Sequence, residues 1–154
     1  MPIVIAAGVV VLVVAVVFFV TSRNRNSEVA PVTAAADPYA ASLPITNLQM
    51  SESANLAGGK VTYLDGHIAN KGSKTVSGIT AQVLFRNYAH EVAQNESQPM
   101  MLIRTREPYI DTQPLSTAPI KPGEERDFRL SFDTVTPNWD GAYPEIRILR
   151  VLTQ

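Results

Sequence analysis

A chain of 154 residues with a formal net charge of −1 fits one folded domain and lacks the basic excess that marks a nucleic-acid-binding protein. It contains no cysteine. That excludes disulfides, thiolate metal ligands, a lipid-modified cysteine and cysteine nucleophiles together.

The first element is apolar. Residues Ile3 to Val20 read IVIAAGVVVLVVAVVFFV, with no charge and no strongly polar side chain. As a helix they rise ~27 Å, close to the hydrocarbon thickness of a bilayer. Valine disfavours helix in water, but in lipid a helix is the only way for one segment to satisfy its own backbone. The expectation is a single-pass signal-anchor helix over 3–22, with the bilayer as its partner through Ile3 to Val20. A cleaved signal peptide fits less well. Ala34, Ala35 and Ala36 are the nearest small-residue site, they lie far beyond the run, and no basic segment precedes it. The run begins almost at Met1, which leads to the expectation that the natural start lies further upstream.

Residues 23–42 are rich in Ala, Asn, Ser and Pro and carry no period of two or 3.6. They read as a flexible tether. The alternative is that Asp37 to Ala41 dock on the domain with Tyr39 as the contact. Arg23 and Arg25 are too few for a polybasic lipid site. As positive charges they favour a cytoplasmic C-terminus by about one charge.

From Leu43 to Leu152 the pattern changes to short β-like runs separated by Gly, Pro and Asn. The expected strands are ITNLQMSE, KVTYLDGHIAN, VSGITAQVLFRN, PMMLIRT, ERDFRLSFD and EIRILRVL. Gly58 and Gly59 mark a turn, and Gly66 marks a bulge or a close backbone approach. Ala89 to Ser97 reads as a loop. In VSGITAQVLFRN, Ile79, Ala81, Val83 and Phe85 alternate with Thr80, Gln82, Leu84 and Arg86. Phe128, Leu130 and Phe132 likewise point away from Asp127, Arg129 and Ser131. No later segment sustains a helical stripe, so the fold class is all-β, an immunoglobulin- or fibronectin-like two-sheet sandwich over 43–152. Its expected core is Ile68, Ile79, Val83, Phe85, Leu102, Phe128, Leu130, Phe132, Ile146 and Ile148.

Several phrases carry a resemblance: Gly66 to Asn70 (GHIAN), Val76 to Ile79 (VSGI), Val83 to Phe85 (VLF), Pro122 to Glu124 (PGE) and Phe128 to Phe132 (FRLSF). With Arg104 to Asp111 and Trp139, they resemble small membrane-anchored bacterial sandwiches of the Phe-x-Leu-Tyr-Asp and late-embryogenesis-abundant types. More closely, Asp37 to Val151 resembles an uncharacterised bacterial single-pass family, a domain of unknown function. The resemblance implies a fibronectin-like fold and an envelope location, hence an extracytoplasmic domain, and no activity.

The chemistry is sparse. His67 and His90 are the only histidines, too few for a zinc site. No Gly-x-Ser-x-Gly elbow or phosphate loop is present. No catalytic residue, cofactor or metal ligand set is expected. The loop Arg104 to Pro119 is the best functional candidate, and Arg104, Arg106, Glu107, Tyr109, Asp111 and Trp139 form the expected interaction surface, since Arg and aromatic residues concentrate at interface hot spots. The leading expectation is a non-enzymatic module that binds an unknown protein partner or serves envelope structure, and not nucleic acid. The alternatives are a small-ligand cleft near Trp139 and Tyr109, or an enzyme whose site follows no motif.

Overall fold

The structure is a computed structural model that describes residues 30–54 and 58–154. The apolar run Ile3 to Val20 lies outside the described residues. Among the described residues no helix is long and apolar enough to cross a membrane.

Eight strands follow a short 3-10 helix at Pro38–Ser42: β1 (Ile45–Ala54), β2 (Lys60–Ala69), β3 (Val76–Arg86), β4 (Val92–Pro99), β5 (Met101–Thr105), β6 (Asp111–Pro114), β7 (Glu125–Phe132) and β8 (Glu145–Thr153). They form two antiparallel sheets of order β1-β2-β7-β5-β6 and β4-β3-β8. The period-two alternation read in β2, β3 and β7 supplies the inner faces. Leu64 and Ile68, Ile79 and Val83, and Phe128, Leu130 and Phe132 close on one core with Leu102 and Ile148. Phe85 and Phe132 meet edge-to-face at 5.0 Å, which sets the ends of β3 and β7 against each other. Of the expected core, Ile146 alone is only partly buried.

Two loops of the sequence reading are corrected. Ala89 to Ser97 is mostly strand β4, although VAQNESQP has no apolar alternation. Gln94 and Gln98 stand on the same face as their partners Phe85 and Ala81 and bridge toward the other sheet: Gln94 holds Thr134 and Thr136, and Gln98 holds Ser131 of β7. Context overrides propensity at such an edge. Within Arg104 to Pro119, Asp111–Pro114 form β6, which makes a hairpin with β5.

The tether reading is also corrected for residues 30–42, which lie on the domain. Asp37 N–H donates to the Ile148 carbonyl at 2.9 Å, and an Asp37 side-chain oxygen accepts from Val151 N–H at 2.8 Å. Tyr39 Oη donates to Asn70 and accepts from Lys74 N–H. Residues 30–34 run across the outer face of the three-stranded sheet, where Gln82, Asn95 and Arg147 donate to their carbonyls. That cover explains why Gln82, on an outer face, is fully buried.

Asn70 ties the far end together. It is fully buried and donates to the carbonyls of Lys74 and Ile120. Close by, Lys121 to Glu124 form a turn closed by Glu124 N–H on the Lys121 carbonyl. Pro122 sits at its second position and Gly123, at φ +79°, at its third, the pairing a type II turn requires.

Candidate functional site

The site begins with alternation. In β2 the inward positions are Thr62, Leu64, Gly66 and Ile68, so Tyr63, Asp65 and His67 face out. In β7 the inward Phe128 and Leu130 leave Glu125, Asp127 and Arg129 facing out. The antiparallel register then sets Asp65 opposite Arg129 and His67 opposite Asp127. Directly opposed unlike charges stabilise a sheet pair.

The result is a continuous ionic chain on the outer face of the five-stranded sheet. Arg129 grips Asp65 with two bonds, Nε at 2.6 Å and Nη2 at 2.8 Å, and its guanidinium lies 4.2 Å over the Tyr63 ring. Asp127 lies 3.0 Å from His67 Nδ1 and accepts Arg106 Nη2 at 2.7 Å. His67 Nε2 lies 3.0 Å from Glu125. Arg106 Nη1 also approaches Asp65 at 3.7 Å. The three acids Asp65, Glu125 and Asp127 balance Arg106, Arg129 and a protonated His67, so the chain is neutral with the imidazole charged. Bonding to Asp127 first, and to Glu125 second, holds the His67 pKa above its ordinary value. Arg106, and then His67, hold the Asp127 carboxyl below its ordinary range.

A cleft of about 190 Å³ opens beside this chain, lined by Asn47, Gln49, Asp65, Gly66, His67, Arg106 and Asp127. Its wall on the β1 side is a bulge. Asn47 and Leu48 together face Gly66 between the pairs Thr46–His67 and Gln49–Asp65, and Asn47 takes φ +54°, a region Asn tolerates better than most residues. Gly66 is the close approach that the sequence marked. A Cβ there would stand 2.5 Å from Phe128 Cζ and 2.9 Å from Leu48 Cδ2.

The expected surface residues divide. Arg104 pairs with Asp111 across the β5–β6 hairpin, and Arg106 reaches from the same hairpin into the ionic chain. Thr105 Oγ1 donates to the Glu107 carbonyl at 2.9 Å. Tyr109 at the tip is 82% exposed, with Ile110 beside it. Trp139 is not part of this group. It packs edge-to-face on Phe85 at 5.7 Å and donates to the Ala142 carbonyl, at the opposite end of the sandwich. No common cleft joins Trp139 and Tyr109, because β5 runs antiparallel to β7 and carries the hairpin toward Glu125, away from Phe132.

Asp65, Glu125, Asp127, Arg129 and Tyr63 are not among the candidates that the sequence marks, and His67 is marked there only as a histidine too isolated for zinc. The available signal was the outward alternation of charge in Asp65-x-His67 and Glu125-x-Asp127-x-Arg129. Among the described residues no group of three or more His, Asp or Glu side chains is placed to hold a metal ion.

Residues 40–144 match the model of a family described as protein of unknown function (DUF2393). No curated protein and no solved structure matches the chain.

Proposed function

The chain belongs to the DUF2393 family, and from that premise we propose that it is a non-enzymatic module, held to a membrane by Ile3 to Val20, which offers the β5–β6 hairpin tip to a protein partner. The observation that carries this reading is the combination of a braced hairpin and a bare tip. Arg104–Asp111, Thr105–Glu107 and Arg106–Asp127 fix the loop, while Tyr109 projects into solvent. An aromatic side chain on a preorganised loop binds with little ordering cost.

The cleft beside His67 supports the non-enzymatic half. A general base needs a nitrogen free to take a proton from substrate. Both His67 nitrogens are engaged by carboxylates, and both Asp65 oxygens by Arg129. This is what an ion network that welds β2 to β7 requires.

The test is site-specific photo-crosslinking in the full chain, in cells, with the crosslinker replacing Tyr109 or, as a control, Ser53 on the far end of β1. A discrete adduct from position 109 that weakens with Arg106→Ala supports the reading. Identical products from both positions, or adducts indifferent to Arg106→Ala, contradict it.

A further inference from the structure

Two other tyrosines stand in solvent, and they sit at the end of the sandwich opposite Tyr109. Tyr88 is 83% exposed and Tyr143 is 61% exposed. Tyr88 is presented by the β3–β4 turn, which Asn87 locks by accepting Ala89 N–H at 3.0 Å and Glu91 N–H at 2.9 Å. Tyr143 lies in the loop before β8, which Asp140 N–H ties to the Arg86 carbonyl at 2.9 Å. Two rigid mounts thus hold two amphipathic rings at one end of the fold. The ionic groups there are largely satisfied: Arg86 bonds Glu145 at 2.8 Å, and Asn87 Nδ2 donates to Glu91.

The course of the N-terminal segment shows what this end faces. Followed backward, the chain touches Ile148 at Asp37, Arg147 at Ala34 and Val32, and Gln82 and Asn95 at Ala30. Ile148 is level with Ala81, and Asn95 with Leu84. The segment therefore moves toward the Tyr88 end as it crosses the sheet, and it leaves the described fold at the level of Gln82 to Leu84, two to four residues short of the end of β3 and ~7–13 Å from it. Nine residues, Thr21 to Val29, separate Ala30 from the apolar run. As coil they span ~17 Å, and fully extended ~30 Å. β3 is ~33 Å long, so its Tyr88 end lies within the coil span of that segment while its other end, ~20–26 Å away, lies beyond it, and a bilayer holding the run meets the Tyr88 end first.

We propose that Tyr88 and Tyr143 rest in the headgroup region of the bilayer that holds Ile3 to Val20, and so orient the sandwich with its Tyr109 tip pointing away from the membrane. The inference rests on the anchor of the proposed function. Tyrosine suits that depth because its ring is apolar and its hydroxyl stays wet. Among the described residues at this end, Arg86 is paired with Glu145 and Lys60 with Glu52, so the tyrosine contact itself does not call for anionic lipid.

The chain has no cysteine, so Tyr88→Cys, Tyr143→Cys and Tyr109→Cys each give one labelling site. The full chain carrying an environment-sensitive fluorophore at one of these sites is reconstituted in phosphatidylcholine vesicles that contain headgroup-region nitroxide lipid. The expected result is several-fold stronger quenching at positions 88 and 143 than at 109, unchanged by high salt. Equal quenching at all three sites in protein that floats with the vesicles overturns the orientation and leaves the anchor standing. Protein that does not float overturns the anchor and the orientation with it.

Discussion

Asp127 and His67 stand opposite each other in the β2–β7 register with Oδ1 and Nδ1 3.0 Å apart, and the second oxygen of Asp127 accepts Arg106 from the hairpin at 2.7 Å. One carboxylate therefore couples the centre of the five-stranded sheet to the loop that exposes Tyr109.

That coupling has a pH signature. His67 has a raised folded pKa, so its contribution is complete below its ordinary value of 6.5 and is lost as pH rises through the raised value. Asp127 has a lowered folded pKa, so its contribution is present above its ordinary value of 3.8 and is lost as pH falls through the lowered one. Both are complete between 3.8 and 6.5. Unfolding free energies from denaturant titrations across pH should fall on the alkaline side by no more than about 1 kcal/mol, the range of partly exposed ion pairs. His67→Gln should flatten that alkaline limb. An unchanged limb in the variant contradicts the assignment.

Gly66→Ala places a methyl against Phe128 and Leu48. The aromatic ring is packed in the core and cannot swing clear. The expected cost is about 1–3 kcal/mol, as for other overpacked sites, read from urea unfolding of the chain in detergent. A wild-type midpoint would mean that the bulge at Asn47 relaxes to make room.

Asn70→Ala removes both donors from the carbonyls of Lys74 and Ile120, and the acceptor of Gly72 N–H and Tyr39 Oη. Leaving a buried backbone group without its partner costs about 1–3 kcal/mol. Thermal unfolding should show that loss, and Tyr39→Phe should show a smaller one. Equal losses would place the weight on the Tyr39 contact instead.

Asp37 closes the free edge of β8, since it both donates to Ile148 and accepts from Val151. An unprotected strand edge recruits other strands. Asp37→Ala should make the domain self-associate with rising concentration in analytical ultracentrifugation, while Asp37→Asn, which keeps a side-chain acceptor, should remain as the wild type. A monomeric Asp37→Ala variant would show that residues 30–36 guard the edge without it.

Where one face meets the core and the other meets water, period-two alternation was enough. The inner faces of β2, β3 and β7, the two-sheet class and the close approach at Gly66 were all legible. Strand β4 is not legible, because its alternation is polar on both faces and its side chains bond backbone groups distant in sequence. The docking of Asp37 and Tyr39 was present only as an alternative, since nothing local marks a coil that folds back. The ionic chain was hidden for a related reason. Outward charges on β2 and β7 are visible, but their pairing depends on a register that no single strand encodes. The loop Arg104 to Asp111 stands out by composition alone. Trp139 reads as part of the same surface only because sequence does not tell which end of a sandwich a loop occupies; the structure places it on Phe85.

The most direct test of the account is alkaline-carbonate extraction and flotation of the full chain beside a version that lacks residues 1–29. The account predicts that the full chain stays with the lipid and that the shortened chain is released as a folded β-sheet domain by circular dichroism. A full chain that remains in the supernatant without detergent would contradict it.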